Sequence, residues 1–172
     1  LQDSSNITKG LELLEKEGAS AVWNAVFPKN ILPIQLGYSS SGEVVQVGEG
    51  VKDFHVGDKV VSNGDHAEYV IVNQNLCTRI PDDTSMKEAA FTVLGSIALH
   101  GLRLSETSLG SKVVVIGLGI VGQLVCRLAE AQGSDVIGID PDPTRHLENK
   151  NFYETVEGLN LENVDSVIIT AA

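Results

Sequence analysis

The chain has 172 residues, a formal net charge of −11 and an isoelectric point near 4.6, a balance that argues against a nucleic-acid or anionic-membrane surface. Apolar residues make up 42% and charged residues 20%, the range of a globular protein with a packed core. No apolar run approaches the roughly 20 residues of a membrane span, no secretory leader is visible, and an anionic ligand must be held by local features because the overall field repels it.

From the N-terminus, residues 1–36 read as mainly helical. Ser4 or Ser5 can cap a helix to Glu17 with Leu11 and Leu14 on one face, and Ser20 can cap a second, Ala21 to Phe27, ended by Pro28. Trp23 reads as a core or interface anchor. From Gly37 the pattern changes to short strands divided by glycine turns. The expected strands are Gly42 to Val47, Lys59 to Val61 after Gly57-Asp58, Ala67 to Val72 after Asn63-Gly64-Asp65, and Asn75 to Ile80 before Pro81. This spacing predicts a small barrel-like β domain. Asp82 to Leu104 then reads as helix, opened by the S-x-x-E capping box of Ser85 and Glu88. Its Ala-, Val- and Leu-rich run is apolar on most faces, which predicts a buried helix.

The stretch from Lys112 to Asp140 carries the chemistry. Val113 to Ile116 is the uninterrupted apolar run of a buried parallel strand, followed by Gly117-Leu118-Gly119-Ile120-Val121-Gly122, a G-x-G-x-x-G. A helical pattern places Val121, Leu124, Val125, Leu128 and Ala129 on one face and stops at Gly133, the residue type of a left-handed cap. A second apolar strand, Val136 to Ile139, ends on Asp140. Gly117 permits a tight strand-to-helix turn, Gly119 lets backbone N–H groups approach a pyrophosphate, and Gly122 lets the helix pack close to the strand. The helix N-terminus offers unpaired donors and a positive dipole end to phosphates. Asp140, 18 residues after Gly122, sits where a carboxylate accepts hydrogen bonds from an adenosine ribose diol. With 17 glycines in the chain the bare motif is weak, but strand, motif, helix, strand and acid in register predict a dinucleotide site.

Pro141 to Leu147 reads as a short helix, Asn151 to Val156 as a third strand and Val164 to Ala171 as a further buried strand. Cys77 and Cys126 fall in different elements, so no disulfide framework is expected and a reducing, cytoplasmic setting fits. The chain starts at Leu1 and ends on what reads as a strand, and it is expected to be a piece of a longer protein.

The order of parts resembles the medium-chain dehydrogenase/reductase superfamily, the zinc alcohol dehydrogenase-like proteins. The likeness lies in the run from Gly37 to Val60, in His66-Ala67-Glu68-Tyr69-Val70-Ile71-Val72, in the helix around Glu88 to Gly95, and in Val113 to Gly122. It covers roughly Gly37 to Ala172. The resemblance implies an α/β fold: a partial GroES-like β domain with a helical N-terminal segment over residues 1–82, then a partial Rossmann domain, an incomplete doubly wound parallel sheet, over residues 83–172, with the active site in the cleft between them. The wording LGYSSSG, SNGDHAEY and FTVLGSIALHG is similar to the dehydrogenase half of bacterial bi-domain oxidoreductases.

Zinc-dependent members carry G-H-E-x-x-G where this chain has Gly37 to Gly42, so Tyr38 stands in place of the ligand histidine and Ser39 in place of the carboxylate. A later ligand position falls near Val93, and the cysteine-rich lobe of a structural zinc is absent. Zinc needs about three nitrogen, sulfur or carboxylate ligands, whereas His55, His66, His100 and His146 are scattered over a turn, a hairpin, the apolar helix and a surface helix. No zinc is therefore expected. His66 reads as structural or solvent-facing, and His100 as a core histidine. Without zinc, Tyr38 can hydrogen-bond a developing alkoxide and Ser39 can relay a proton, both against a competing role in turn structure.

For the cofactor, the expected contacts are Gly117, Leu118, Gly119, Ile120, Val121, Gly122, Asp140 and Arg145. Asp140 repels a 2′-phosphate and so favours NAD over NADP, while Arg145 lies where it can meet the adenosine or pair with Asp142 or Glu148. The expected function is a zinc-independent, NAD(H)-linked oxidoreductase acting on a small polar, sugar-like molecule, with a homo-oligomer of the full-length parent as the expected assembly. The alternatives are an NADPH-dependent quinone or enoyl reductase, and a non-catalytic nucleotide-binding half of a larger protein.

Overall fold

The computed structural model describes residues 36–146 and 151–171. The helices expected before residue 36, Trp23, and the end of the helix expected to reach Leu147 lie outside the described residues. The chain divides into two compact units, Leu1–Leu36 and Gly37–Ala172, and the second contains nearly all that is described.

Its first part is a three-stranded antiparallel sheet, order β1-β2-β3, from β1 (Ser40–Glu43), β2 (Lys59–Ser62) and β3 (Cys77–Arg79). The central β2 buries Val60, Val61 and Ser62. Arg79 fastens the β2 turn: its Nε and Nη2 donate to Asp58 Oδ2 at 3.0 and 2.9 Å, Nη2 also donates to the Asp53 carbonyl, and the guanidinium lies 5.6 Å from the Phe54 ring centre. The first strand lies earlier than the expected Gly42 to Val47. Beyond Glu43 only Val44 stays bonded, its N–H donating to the Asp58 carbonyl at 2.9 Å.

Ala67 to Val72 forms no strand, and Tyr69, Val70 and Ile71 are exposed. Both edges of β2 are taken by β1 and β3, and this segment pairs with neither of their outer edges. Asn75 to Ile80 begins instead as a 3-10 turn, Gln74–Leu76, capped by the Asn73 side chain.

The single helix expected over Asp82 to Leu104 is two, α1 (Met86–Ala89) and α2 (Thr92–Leu104). Ser85 and Glu88 make the full capping box. The break has a tertiary cause, because the Ala90 carbonyl accepts a hydrogen bond from the Ser39 hydroxyl at 2.5 Å. Nor is α2 buried on most faces. Ala98 and Leu102 enter the core, while Ile97, His100 and Leu104 are exposed, which corrects the placement of His100 in a core.

The second part is a four-stranded parallel sheet of β4 (Lys112–Ile116), β5 (Asp135–Ile139), β6 (Asn151–Tyr153) and β7 (Ser166–Ile169), order β6-β5-β4-β7. Helix α3 (Ile120–Ala131) connects β4 to β5. It ends in a Schellman cap: Gly133 has φ +90°, its N–H meets the Glu130 carbonyl and the Ser134 N–H meets that of Ala129. Val113, Val115, Leu118, Val125, Cys126 and Ala129 form the core together with Ala98 and Leu102 of α2. Each fully buried valine there contributes on the order of 1.5–3 kcal/mol.

On β7 only part of the expected burial is found, since Val167 and Ile169 are exposed while Ile168 packs on the core. Among the described residues, the core helices cover only the face that Ile168 joins. The chain passes β4, β5, β6 outward on one side and returns to β7 on the other. The strand order therefore reverses between β4 and β7, and in such sheets ligands bind at the carboxyl ends of the strands beside that reversal.

The packing of α3 on β4 makes one sharp demand. A Cβ on Gly122 would stand 1.9 Å from the Gly117 carbonyl oxygen and 2.7 Å from Thr170 Oγ1, whereas a Cβ on Gly119 meets nothing within 4 Å. Gly122→Ala is expected to lower stability by about 1–3 kcal/mol, seen as a reduced urea midpoint, with Gly119→Ala close to wild type. Equal losses in both variants would mean that the close approach is not the constraint.

Candidate functional site

At the reversal, the backbone turns from β4 into α3 through Gly117, whose φ of +92° suits only glycine. Its N–H donates to the Ile139 carbonyl at 2.7 Å, and its carbonyl accepts from Thr170 Oγ1 at 2.7 Å. The Leu118 N–H donates to Asp140 Oδ2 at 2.7 Å, and the Leu118 carbonyl accepts from Gln123 Nε2 at 3.1 Å. The Leu118 side chain is fully buried in the core. The loop is thus fixed on every peptide before α3 begins. Gly119 then occupies the N-cap with no side-chain cap, so the first-turn N–H groups of Ile120, Val121 and Gly122 have no partner inside the helix. Open space at the Gly119 Cβ position and a positive dipole end complete a cradle suited to an anion.

Asp140 follows β5 beside this loop and is only 2% exposed. Its Oδ2 also lies 3.3 Å from Arg145 Nη1, and its Oδ1 accepts the Asp142 N–H at 2.9 Å. The Leu118 N–H first, then that of Asp142, hold the carboxyl below its ordinary value of 3.8, with Arg145 adding to the effect against the opposing pull of burial. Arg145 stands between two carboxylates, its Nε 3.4 Å from Asp142 Oδ2. Of the two pairings open to it in the sequence, that with Asp142 is formed, and Glu148 lies outside the described residues. The short helix expected from Pro141 is a 3-10 turn, Pro143–Arg145, capped by Asp142. His146 closes the cluster, with Nε2 2.9 Å from the Asp140 carbonyl and its ring edge-on to Phe152.

The structure therefore brings Gly117 to Gly122, Asp140 and Arg145 together, and Tyr38 and Ser39 lie in a second cluster at the start of β1. Tyr38 is 54% exposed. The serines stitch β1 to its neighbours: Ser39 donates to the Ala90 carbonyl, Ser41 Oγ donates to the Met86 carbonyl at 2.7 Å, and Ser40 Oγ lies 3.0 Å from Ser62 Oγ. The proton of Ser39 is committed to that bond, so it can relay a proton only if the bond opens. His66 lies against this loop, for a Cβ on Gly37 would stand 2.3 Å from its Nε2. No three His, Cys, Asp or Glu side chains converge among the described residues.

Thr170 and Gln123 escaped the sequence argument. Each had a weak signal: a polar residue closing the apolar β7, and a polar residue directly after the last glycine of the motif.

Residues 16–82 match the alcohol dehydrogenase GroES-like domain. The chain is 31% identical over 141 residues to (R,R)-butanediol dehydrogenase of Bacillus subtilis, covering 66% of this chain and 41% of the relative. It is 37% identical over 111 residues to D-guloside 3-dehydrogenase of Escherichia coli, covering 62% and 32%. The structure of Escherichia coli quinone oxidoreductase complexed with NADPH superposes with a TM-score of 0.59 at 26% identity, covering 72% of this chain and 41% of that one. The chain thus spans less than half the length of these proteins. No helix among the described residues is long and apolar enough to cross a membrane.

Because the folded state lowers the Asp140 value below 3.8, the group stabilises the fold above that pH and loses its contribution as the pH falls below it. The gap in thermal midpoint between wild type and Asp140→Asn should be constant from neutral pH to about 5 and close in stronger acid. A gap that persists in acid would contradict the assignment.

Proposed function

Because the chain belongs to the medium-chain dehydrogenase/reductase superfamily of zinc-type alcohol dehydrogenase-like proteins, we propose that its full-length protein is a zinc-independent, NAD(H)-linked oxidoreductase acting on a small polar, sugar-like alcohol or ketone. The observation that carries the proposal is the pinned glycine loop at the sheet reversal, with its uncapped helix N-terminus. Gly119 to Gly122 would receive the pyrophosphate, and the Asp140–Asp142–Arg145 cluster would lie by the adenosine. Two carboxylates against one guanidinium leave that cluster negative, which disfavours a 2′-phosphate. The nicotinamide supplies the hydride when bound, and the protein supplies orientation and electrostatics.

Tyr38 is the proposed donor to the developing alkoxide, since its phenol is exposed and its place in the motif is that of a zinc ligand in metal-dependent members. Ser39 is proposed to hold the loop through Ala90 and to enter proton transfer only when that bond opens. The named activities of the butanediol and guloside dehydrogenases support a hydroxylated substrate. An NADPH-linked, quinone-reductase-like activity is the second reading, favoured by the half-exposed Arg145 and by the likeness to the quinone oxidoreductase. We also propose that the full-length protein is a homo-oligomer, with the boundary between its two domains near residue 82.

Calorimetry on the full-length protein should show NADH bound more tightly than NADPH by about tenfold, or 1.4 kcal/mol. With NAD and (2R,3R)-butanediol as the probe pair, Tyr38→Phe should lower kcat/KM by about 100-fold. Binding of neither nucleotide by a folded protein would overturn the proposal, and unchanged turnover in Tyr38→Phe would remove Tyr38 from it.

A further inference from the structure

We propose that Thr170 is a positioning residue for the dinucleotide phosphates, acting through a hydroxyl seated between the first and last glycines of the motif. The proposal rests on the dinucleotide reading above. Thr170 directly follows β7 and is half-buried. Its Oγ1 lies 2.7 Å from the Gly117 carbonyl oxygen and 3.3 Å from that of Ile116. A hydroxyl has one proton to donate, and the shorter contact takes it. The same oxygen lies 2.7 Å from the place a Cβ on Gly122 would occupy, so it fills the space that the last glycine leaves open. The Thr170 N–H donates to the Ile116 carbonyl at 2.8 Å, which anchors the residue to the end of β4. One polar atom from the end of β7 thus meets both ends of the motif.

The contact has a direct consequence for the anion cradle. The Gly117 carbonyl belongs to the same peptide as the Leu118 N–H, which donates to Asp140. Thr170 and Asp140 therefore hold opposite sides of one planar group, from the end of β7 and from the end of β5. Held on one side only, that plane can turn about the remaining bond. It leads into Gly119 at the N-cap, and so sets the direction of the first-turn N–H groups that would meet the phosphates. The next carbonyl, that of Leu118, is held from within α3 by Gln123, so Thr170 is the side chain that ties this loop to β7. Gly117 is buried, and removing the hydroxyl takes the donor from its carbonyl. A rotation of the peptide that relieves this loss also carries the cradle out of shape.

Thr170→Val keeps the branched shape and loses the donor, whereas Thr170→Ser keeps the donor. In calorimetry on the full-length protein, Thr170→Val should weaken ADP and inorganic pyrophosphate alike by about tenfold, with Thr170→Ser within about twofold of wild type for both. Should Thr170→Val not fold, Thr170→Ala against Thr170→Ser gives the same comparison, since that pair differs only in the hydroxyl. A thermal midpoint that falls in Thr170→Val while both affinities keep their wild-type values would give the hydroxyl a structural role alone and overturn the proposal. Equal weakening in Thr170→Val and Thr170→Ser would assign the effect to packing and overturn it as well. So would a loss of ADP binding that spares pyrophosphate. A folded wild-type protein that binds neither ligand would instead overturn the dinucleotide proposal itself.

Discussion

The hydrogen bond from the Leu118 N–H to the Asp140 carboxylate joins the ends of two adjacent parallel strands, and the candidate site is built around it. It draws the turn after β4 toward the end of β5. Gly117 can follow only because it adopts a left-handed conformation. Gly122 then passes so close to the Gly117 carbonyl that no side chain fits between them. Thr170 brings β7 into the same contact, so three strands and one helix converge on two peptide groups. A loop held in this way loses little further entropy when it meets a ligand.

The charge balance fits the same geometry. A chain of net charge −11 repels an anion at long range, but exposed charges are screened beyond about 8 Å at physiological salt. Unpaired N–H groups at a helix start act within that distance. A carboxylate beside a helix N-terminus competes with a phosphate for the same positive potential. Arg145, which stands between the Asp140 and Asp142 carboxylates, offsets that competition.

Where the sequence pattern reports local physics, the structure follows it. The buried run Val113 to Ile116, the one-sided apolar face of α3, the Gly133 cap and the Ser85–Glu88 box all depend on neighbours in the chain, and all are found. Tertiary effects were not legible. The helix through Ala90 is interrupted by a hydroxyl from Ser39, 51 residues away. Ala67 to Val72 has the residue types of a strand and joins no sheet. His100 lies in an apolar stretch but on the face of α2 that the core does not use. The motif identified Asp140 by its distance along the chain, and that distance does not say which donors its oxygens take. The departure of their motif singles out Tyr38 and Ser39 in the sequence, and the stitch that engages Ser39 leaves no mark there.

Amide hydrogen exchange at the glycine loop of the full chain, with and without NADH, tests the central claim most directly. If the loop is preformed on Asp140 and open to phosphates, the Leu118 amide is protected without ligand, and the amides of Gly119 to Val121 gain protection only when NADH is added. A Leu118 amide that exchanges as freely as an exposed one, or a start of α3 that NADH leaves unprotected, would contradict the account.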